Sequence, residues 1–218
     1  CMEITRMTRP SLLLTRRWPS AVETVLAQTY DLSCNPEDRA MTSTAIADAM
    51  RDFDFVCPTV TDRIDADMLT GRPLRTKALC NFGAGVTHID LAACASAGLL
   101  VTNTPDVLTD DTADLAMLLA LMCARRAGEG ERLVRNDDWT GWAPTHLLGT
   151  RLSGKTMGIV GFGRIGQATA QRAHRGFGMN ILYASHRRAP SATEQDLAAR
   201  QVSIDQLFTE ADVISLHV

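Results

Sequence analysis

The chain has 218 residues, 45% hydrophobic and 22% charged, a balance that gives an ordinary globular protein enough apolar residues for one large domain or two small ones. A net charge of −3 and an isoelectric point near 5.9, with no basic stripe, weigh against a nucleic-acid-binding surface. The longest apolar run, 115–124, is well short of the roughly 20 residues that span a bilayer, and the first residues carry no secretory pattern, so a cytoplasmic protein away from membranes is expected.

The six cysteines, Cys1, Cys34, Cys57, Cys80, Cys94 and Cys123, include no C-x-x-C pair and are expected to be reduced thiols. The histidines, His88, His146, His174, His186 and His217, lie far apart, with no pair at helical ligand spacing, so no metal site is expected. The chain opens on Cys1 and stops at Val218 inside an apolar stretch, 212–216, that resembles a buried strand. An incomplete chain is therefore expected.

In chain order, Ser11–Leu14 is the first strand, 21–28 and 43–51 are helices, and 54–58 and 77–82 are strands. A helix at 89–97 and a strand at 99–102 follow. Thr104-Pro105-Asp106 then ends regular structure, because a proline pushes the preceding residue out of the helical region. This places a boundary between units at 1–104 and 105–218. The next helix opens at Thr109-Asp110-Asp111-Thr112 with acidic and capping residues. Its middle, Leu115 to Met122, is apolar on nearly every side and is expected to be buried all round, at an interdomain or subunit contact. Trp139 and Trp142 sit in a loop and are expected to pack on a neighbouring surface. Strands at Thr156–Val160, Asn180–Ala184 and 212–216 alternate with helices at 163–174 and Ile204–Glu210. This βαβα rhythm predicts an α/β protein of parallel sheets covered by helices on both faces.

Residues 156–166 carry the most specific pattern. An apolar strand runs into G-x-G-x-x-G at Gly161, Gly163 and Gly166, and a helix follows. Gly161 suits the tight turn, Gly163 leaves room for a pyrophosphate, and Gly166 lets the helix pack closely on the strand. The segment Gly161-Phe162-Gly163-Arg164-Ile165-Gly166 is therefore the candidate cofactor-binding turn, its free amides and the positive end of the helix facing two phosphates. The alternative is a glycine-rich turn without a ligand. In NAD sites an acidic residue about 20 positions further on binds the ribose 2′-hydroxyl. Here the second strand ends in Ser185-His186-Arg187-Arg188, with no acidic residue until Glu194. A hydroxyl followed by two guanidinium groups attracts a 2′-phosphate, so Ser185, Arg187 and Arg188 point to NADP(H), with NAD(H) as the alternative and solvated arginines as the bland one.

Gly83-Ala84-Gly85-Val86-Thr87-His88-Ile89-Asp90, Val101-Thr102-Asn103-Thr104-Pro105-Asp106-Val107-Leu108-Thr109 and Thr112-Ala113-Asp114-Leu115-Ala116 come first along the chain. Leu148-Gly149 with Leu152-Ser153-Gly154-Lys155-Thr156, the glycine motif and Ala211-Asp212-Val213-Ile214-Ser215-Leu216-His217 follow in order. On these segments the chain from about Thr76 to Val218 resembles the D-isomer-specific 2-hydroxyacid dehydrogenase family, in particular its glyoxylate/hydroxypyruvate reductase branch. Residues 8–75 fit only by pattern.

The resemblance implies a flavodoxin-like substrate domain and a doubly wound Rossmann domain, incomplete here, and a homodimer whose contact includes the long helix. It implies that the backbone N–H groups of Ala84 and Gly85 hold the substrate carboxylate, which amides can do without a buried cation. A plain tight turn is the alternative. Thr87-His88 departs from the family's frequent Asp-Asn, and the resemblance gives His88 no catalytic role. Thr112 and His217 match cofactor-side positions; the alternatives are a helix-end hydroxyl and strand-end packing. The family's Arg, Glu and His that act on the keto group match nothing before Val218, so no catalytic residue is expected within the chain. The implied activity is reduction of a small 2-keto acid, glyoxylate or hydroxypyruvate, by NAD(P)H. A dehydrogenase of the phosphoglycerate or gluconate type, or a dinucleotide-sensing co-repressor-like protein, stands as the alternative.

Overall fold

The computed structural model describes residues 9–218. They form two compact units, one ending at Val107 and the other running from Leu108 to Val218. Each is an α/β unit built on a wholly parallel sheet. No helix among the described residues is long and apolar enough to cross a membrane.

In the first unit the strands are β1 (Ser11–Leu14), β2 (Asp31–Cys34), β3 (Phe55–Cys57), β4 (Ala78–Cys80) and β5 (Leu100–Thr102). Their order, β2-β1-β3-β4-β5, is the flavodoxin-like one. Successive strand residues face opposite sides, so each strand feeds two cores. Leu13, Val56 and Leu79 pack on one face with Ile46 and Met50 of α2 (Ser43–Asp52). Leu12, Leu14 and Cys57 pack on the other with Leu26 of α1 (Ser20–Thr29). Side-chain caps start two of the helices: Thr42 accepts from Ala45 N at α2, and Asp90 from Ala93 N at α3 (Leu91–Ser96).

The second unit holds β6 (Thr156–Val160), β7 (Asn180–Ala184), β8 (Ala199–Gln201) and β9 (Val213–Leu216), in the order β8-β7-β6-β9. Its helices are α4 (Thr109–Ala124), α5 (Ala127–Arg135), α6 (Arg164–Phe177), α7 (Ser191–Asp196) and α8 (Ile204–Glu210). Met157, Ile159, Ile181 and Tyr183 from the sheet meet Ala170 and Ala173 of α6 and Met117 of α4 in one core. Small residues on both helices let α4 and α6 approach closely, and Arg172 spans the pair to Asp110 and Asp114.

Three features of this single chain differ from what the sequence predicts. The long helix is not buried all round: Ala113 and Met117 are buried, while Leu115, Leu118 and Leu119 are each about half exposed. Only the side facing α6 and the sheet is covered in this chain. Trp139 and Trp142 do not pack away either, being 56% and 83% exposed. Strands β2 and β8 and helices α5 and α7 were not anticipated. Both strands are sheet edges, short and partly polar, so they lack the apolar run that marks an inner strand.

Candidate functional site

The β6–α6 junction is shaped by its glycines. Gly161 leaves the strand at φ +89°, and a Cβ there would lie 2.2 Å from the His217 carbonyl oxygen. A Cβ on Gly166 would lie 2.2 Å from the Gly161 carbonyl oxygen, so the first turn of α6 rests directly on the strand's exit. At Gly163 the result is the opposite: a Cβ would meet nothing within 4 Å. The turn is thus packed below and open above, at a helix start with no side-chain cap. Such a start offers free main-chain donors and the positive end of a 14-residue helix to an anion.

The members of the turn differ in what they expose. The Phe162 ring is buried, stacked on Tyr183 with centroids 4.0 Å apart, so this residue offers a ligand mainly its backbone. Gln167 braces the turn by donating to the Phe162 carbonyl at 2.9 Å. Ile165 is half-buried, while Arg164 is exposed at the first position of the helix.

Alongside the turn lies a cleft of about 370 Å³ whose lining includes Phe162, Gly163, Ser185, Arg187 and Arg188. The structure therefore brings the glycine turn and the β7 strand end to one place. It also separates the two arginines. Arg188 pairs with Glu194 at 2.9 Å, and Glu194 in turn accepts from the Tyr183 hydroxyl at 2.6 Å. Arg188 beside it, then the Tyr183 hydroxyl, hold the Glu194 carboxyl below the usual carboxylate range. Arg187 is exposed and forms no ion pair among the described residues. Glu194 lies nine positions beyond Ser185 in sequence, too far for the spacing rule to find, and α7 carries it back.

Thr112 and His217 share a different, mostly apolar groove between α4 and β9. The His217 backbone is locked to β6, its N–H donating to the Val160 carbonyl at 2.7 Å, which sets it against the glycine turn. Its ring sits 2.9 Å from the Ser215 hydroxyl, and burial pushes its pKa down. The Thr112 hydroxyl makes no hydrogen bond among the described residues.

In the first unit, β4 runs into Asn81-Phe82-Gly83-Ala84-Gly85-Val86. Side chains hold this loop. Asn81, 2% exposed, donates from Nδ2 to the carbonyls of Gly83 at 3.2 Å and Gly85 at 3.0 Å. Asn103 donates to the Ala84 carbonyl at 2.8 Å, and His88 Nε2 lies 2.9 Å from Asn81 Oδ1. Among the described residues no group accepts from the N–H of Ala84, Gly85 or Val86. The residues singled out by resemblance thus sit where main-chain donors are spare. Asn81, His88 and Asn103 are the residues that sequence reasoning did not assign to the loop.

A glycine turn at the carboxyl edge of a parallel sheet, open above and beside a cationic strand end, has the features of a dinucleotide-binding unit. Residues 117–218 match the family described as D-isomer specific 2-hydroxyacid dehydrogenase, NAD binding domain. That match spans just under half of the chain and falls in the second unit. The chain is 40% identical over 214 residues to a glyoxylate reductase of Thermococcus litoralis, covering 96% of this chain and 64% of that protein. It is 36% identical over 212 residues to a glycerate dehydrogenase of Hyphomicrobium methylovorum, covering 97% of this chain and 66% of that one. The solved glyoxylate reductase of Paecilomyes thermophila superposes with a TM-score of 0.78 at 29% identity, over 97% of this chain and 66% of that chain. The chain spans just under two thirds of the length of these relatives.

Proposed function

We propose that the protein, in its natural length, reduces a small 2-keto acid, glyoxylate or hydroxypyruvate, to the 2-hydroxy acid with NADPH. The observation that carries this is the β6–α6 turn, where Gly161 and Gly166 admit no side chain and Gly163 is open. In this reading the amides of the 161–166 turn, including those of Phe162, Arg164 and Ile165, hold the pyrophosphate. Ser185 and Arg187 receive the 2′-phosphate. Arg188, tied to Glu194, orients the rim and contributes less charge. The nicotinamide, when bound, supplies the hydride. Thr112 and His217 line its side of the unit, and the amides of Ala84 and Gly85 hold the substrate carboxylate. The first unit is then the substrate domain and the second the nucleotide domain.

The same reading assigns the exposed Leu115, Leu118, Leu119 and Met122 of α4 to a homodimer contact, since a contiguous apolar face of this kind marks an interaction surface. A cytoplasmic location accompanies it. The proton and the cation for the keto oxygen are assigned to no residue of this chain.

Calorimetry of the natural-length protein with NADPH and NADH tests the proposal. NADPH is expected to bind about tenfold or more tightly than NADH, the worth of one close charge pair after desolvation, and Arg187→Glu to abolish the difference. Absence of heat with either dinucleotide, or no oxidation of NADPH in the presence of glyoxylate or hydroxypyruvate, would defeat it.

A further inference from the structure

The 83–86 loop is held in shape by a strut of two side chains, and the hydrogen-bonding inventory fixes the orientation of both. The Asn81 nitrogen faces two carbonyl oxygens, Gly83 O and Gly85 O, which only accept. The flipped amide would set oxygen against oxygen, so Nδ2 must face them and Oδ1 must face His88. His88 Nε2, 2.9 Å from that oxygen, therefore carries the proton and donates it. Burial pushes the His88 pKa down, which keeps the ring neutral near pH 7. Both ends of the strut are anchored in regular backbone. Asn81 N donates to the Thr102 carbonyl at 3.0 Å, and the His88 carbonyl accepts from Ile64 N at 2.8 Å.

The planar trans peptide converts these bonds into a direction for the amides. In each unit the N–H points opposite to the C=O. Gly83 O and Gly85 O both turn toward Asn81, so the N–H groups of Ala84 and Val86 leave the loop on the other side. Asn103 pulls the Ala84 carbonyl in the same manner and so sets the N–H of Gly85. Above Gly85 the space is open, since a Cβ there would meet nothing within 4 Å. Gly83 has no such room: a Cβ would sit 2.9 Å from Val60 Cγ1 and 3.3 Å from Asn81 Nδ2, so its lack of a side chain lets the clamp close.

We infer that His88 and Asn81 are positioning residues that preset the 83–86 amides as a receptor for the carboxylate of the 2-keto acid, an inference that rests on the function proposed above. His88 touches no substrate in this account. It orients Asn81, and Asn81 orients the loop. Donors fixed before the anion arrives need no reordering when it binds, so the strut acts on affinity rather than on the chemical step.

The test compares His88→Leu, which removes the donor, with His88→Gln, which keeps an N–H of similar reach, in the natural-length protein. His88→Leu is expected to raise KM for glyoxylate about tenfold, the upper range for one hydrogen bond, leaving kcat and NADPH affinity within about twofold. His88→Gln is expected to restore most of the loss. Amide exchange in the peptide containing residues 83–87 should quicken in the Leu variant and recover in the Gln variant. Unchanged KM and exchange in His88→Leu would overturn the inference. So would a Gln variant as impaired as Leu, or a fall of kcat and NADPH affinity in step with KM, which marks a general structural loss. A wild-type protein that reduces no 2-keto acid would overturn the proposed function itself, and the carboxylate with it; the exchange measurement then judges the strut separately.

Discussion

The loop after β6 and the loop after β4 both present spare main-chain amides, yet they are held by opposite means. After β6 the shape comes from the absence of side chains: the first turn of α6 lies so close to the strand exit that Gly161 and Gly166 leave no space for a Cβ. After β4 it comes from the presence of side chains, with Asn81 and Asn103 drawing in the carbonyls of three successive residues and His88 holding Asn81. The first arrangement is intolerant of any added atom at two positions. The second depends on polar side chains, the buried Asn81 above all, whose loss would leave carbonyls unpaired. An anion-binding backbone can thus be built by close packing or by a hydrogen-bonded scaffold, and the two fail differently.

The sharpest break of this contrast is Gly161→Ala or Gly166→Ala. Each places an atom 2.2 Å from a carbonyl oxygen, and each is expected to cost about 3 kcal/mol or more, read from urea unfolding of the natural-length protein. Wild-type stability in either variant would mean that the turn relaxes freely and that close packing is not its constraint. Gly163→Ala should separate binding from folding. With open space around the new methyl group, stability is expected to stay within about 0.5 kcal/mol of wild type. NADPH affinity, measured by calorimetry, should fall about tenfold or more where the methyl occupies the room kept for phosphate.

The smallest expected effects come from two aspartates that do the same task in the two units. Asp54 accepts from Ser11 N and Oγ, both at 2.9 Å, and so fixes the start of β1. Asp212 accepts from Thr156 N at 2.9 Å and fixes the start of β6. The Ser11 N–H, then Arg75, holds the Asp54 carboxyl well below the usual range, and the Thr156 N–H, then Lys155, lowers Asp212. Asp54 is the better shielded, 16% against 36% exposed, so Asp54→Asn should lower the melting temperature more than Asp212→Asn. A native pKa below the unfolded value of about 3.9 gives stability that is present above pH 4 and lost as pH falls through the native pKa. The gap between Asp54→Asn and wild type should therefore narrow in melts below about pH 4. A gap constant with pH would mean that the carboxylate's charge is not what holds the strand.

The sequence made the inner strands legible because each is an apolar run: Ser11–Leu14, Thr156–Val160 and Asn180–Ala184 stand as read. Edge strands β2 and β8 escaped because an edge buries less and so tolerates Asp31, Arg200 and Gln201. The apolar α4 misled in the other direction. Composition states that a helix wants cover, not what provides it, and Leu115, Leu118 and Leu119 remain half exposed in this chain. At the candidate site the glycine turn was visible from spacing alone. The pairing of Arg188 with Glu194 was not, because a strand end and a separate helix must first be folded together.

Sequence by itself determined two things here: the alternation of parallel strands with helices, and the glycine turn with the features of a dinucleotide-binding unit. Both are written in neighbouring residues, one as apolar periodicity and the other as missing side chains at fixed intervals. Tertiary structure decided which guanidinium at the β7 end stays unpaired and which proton His88 carries. Those outcomes depend on hydrogen bonds and ion pairs between groups that only folding brings within about 3 Å of each other.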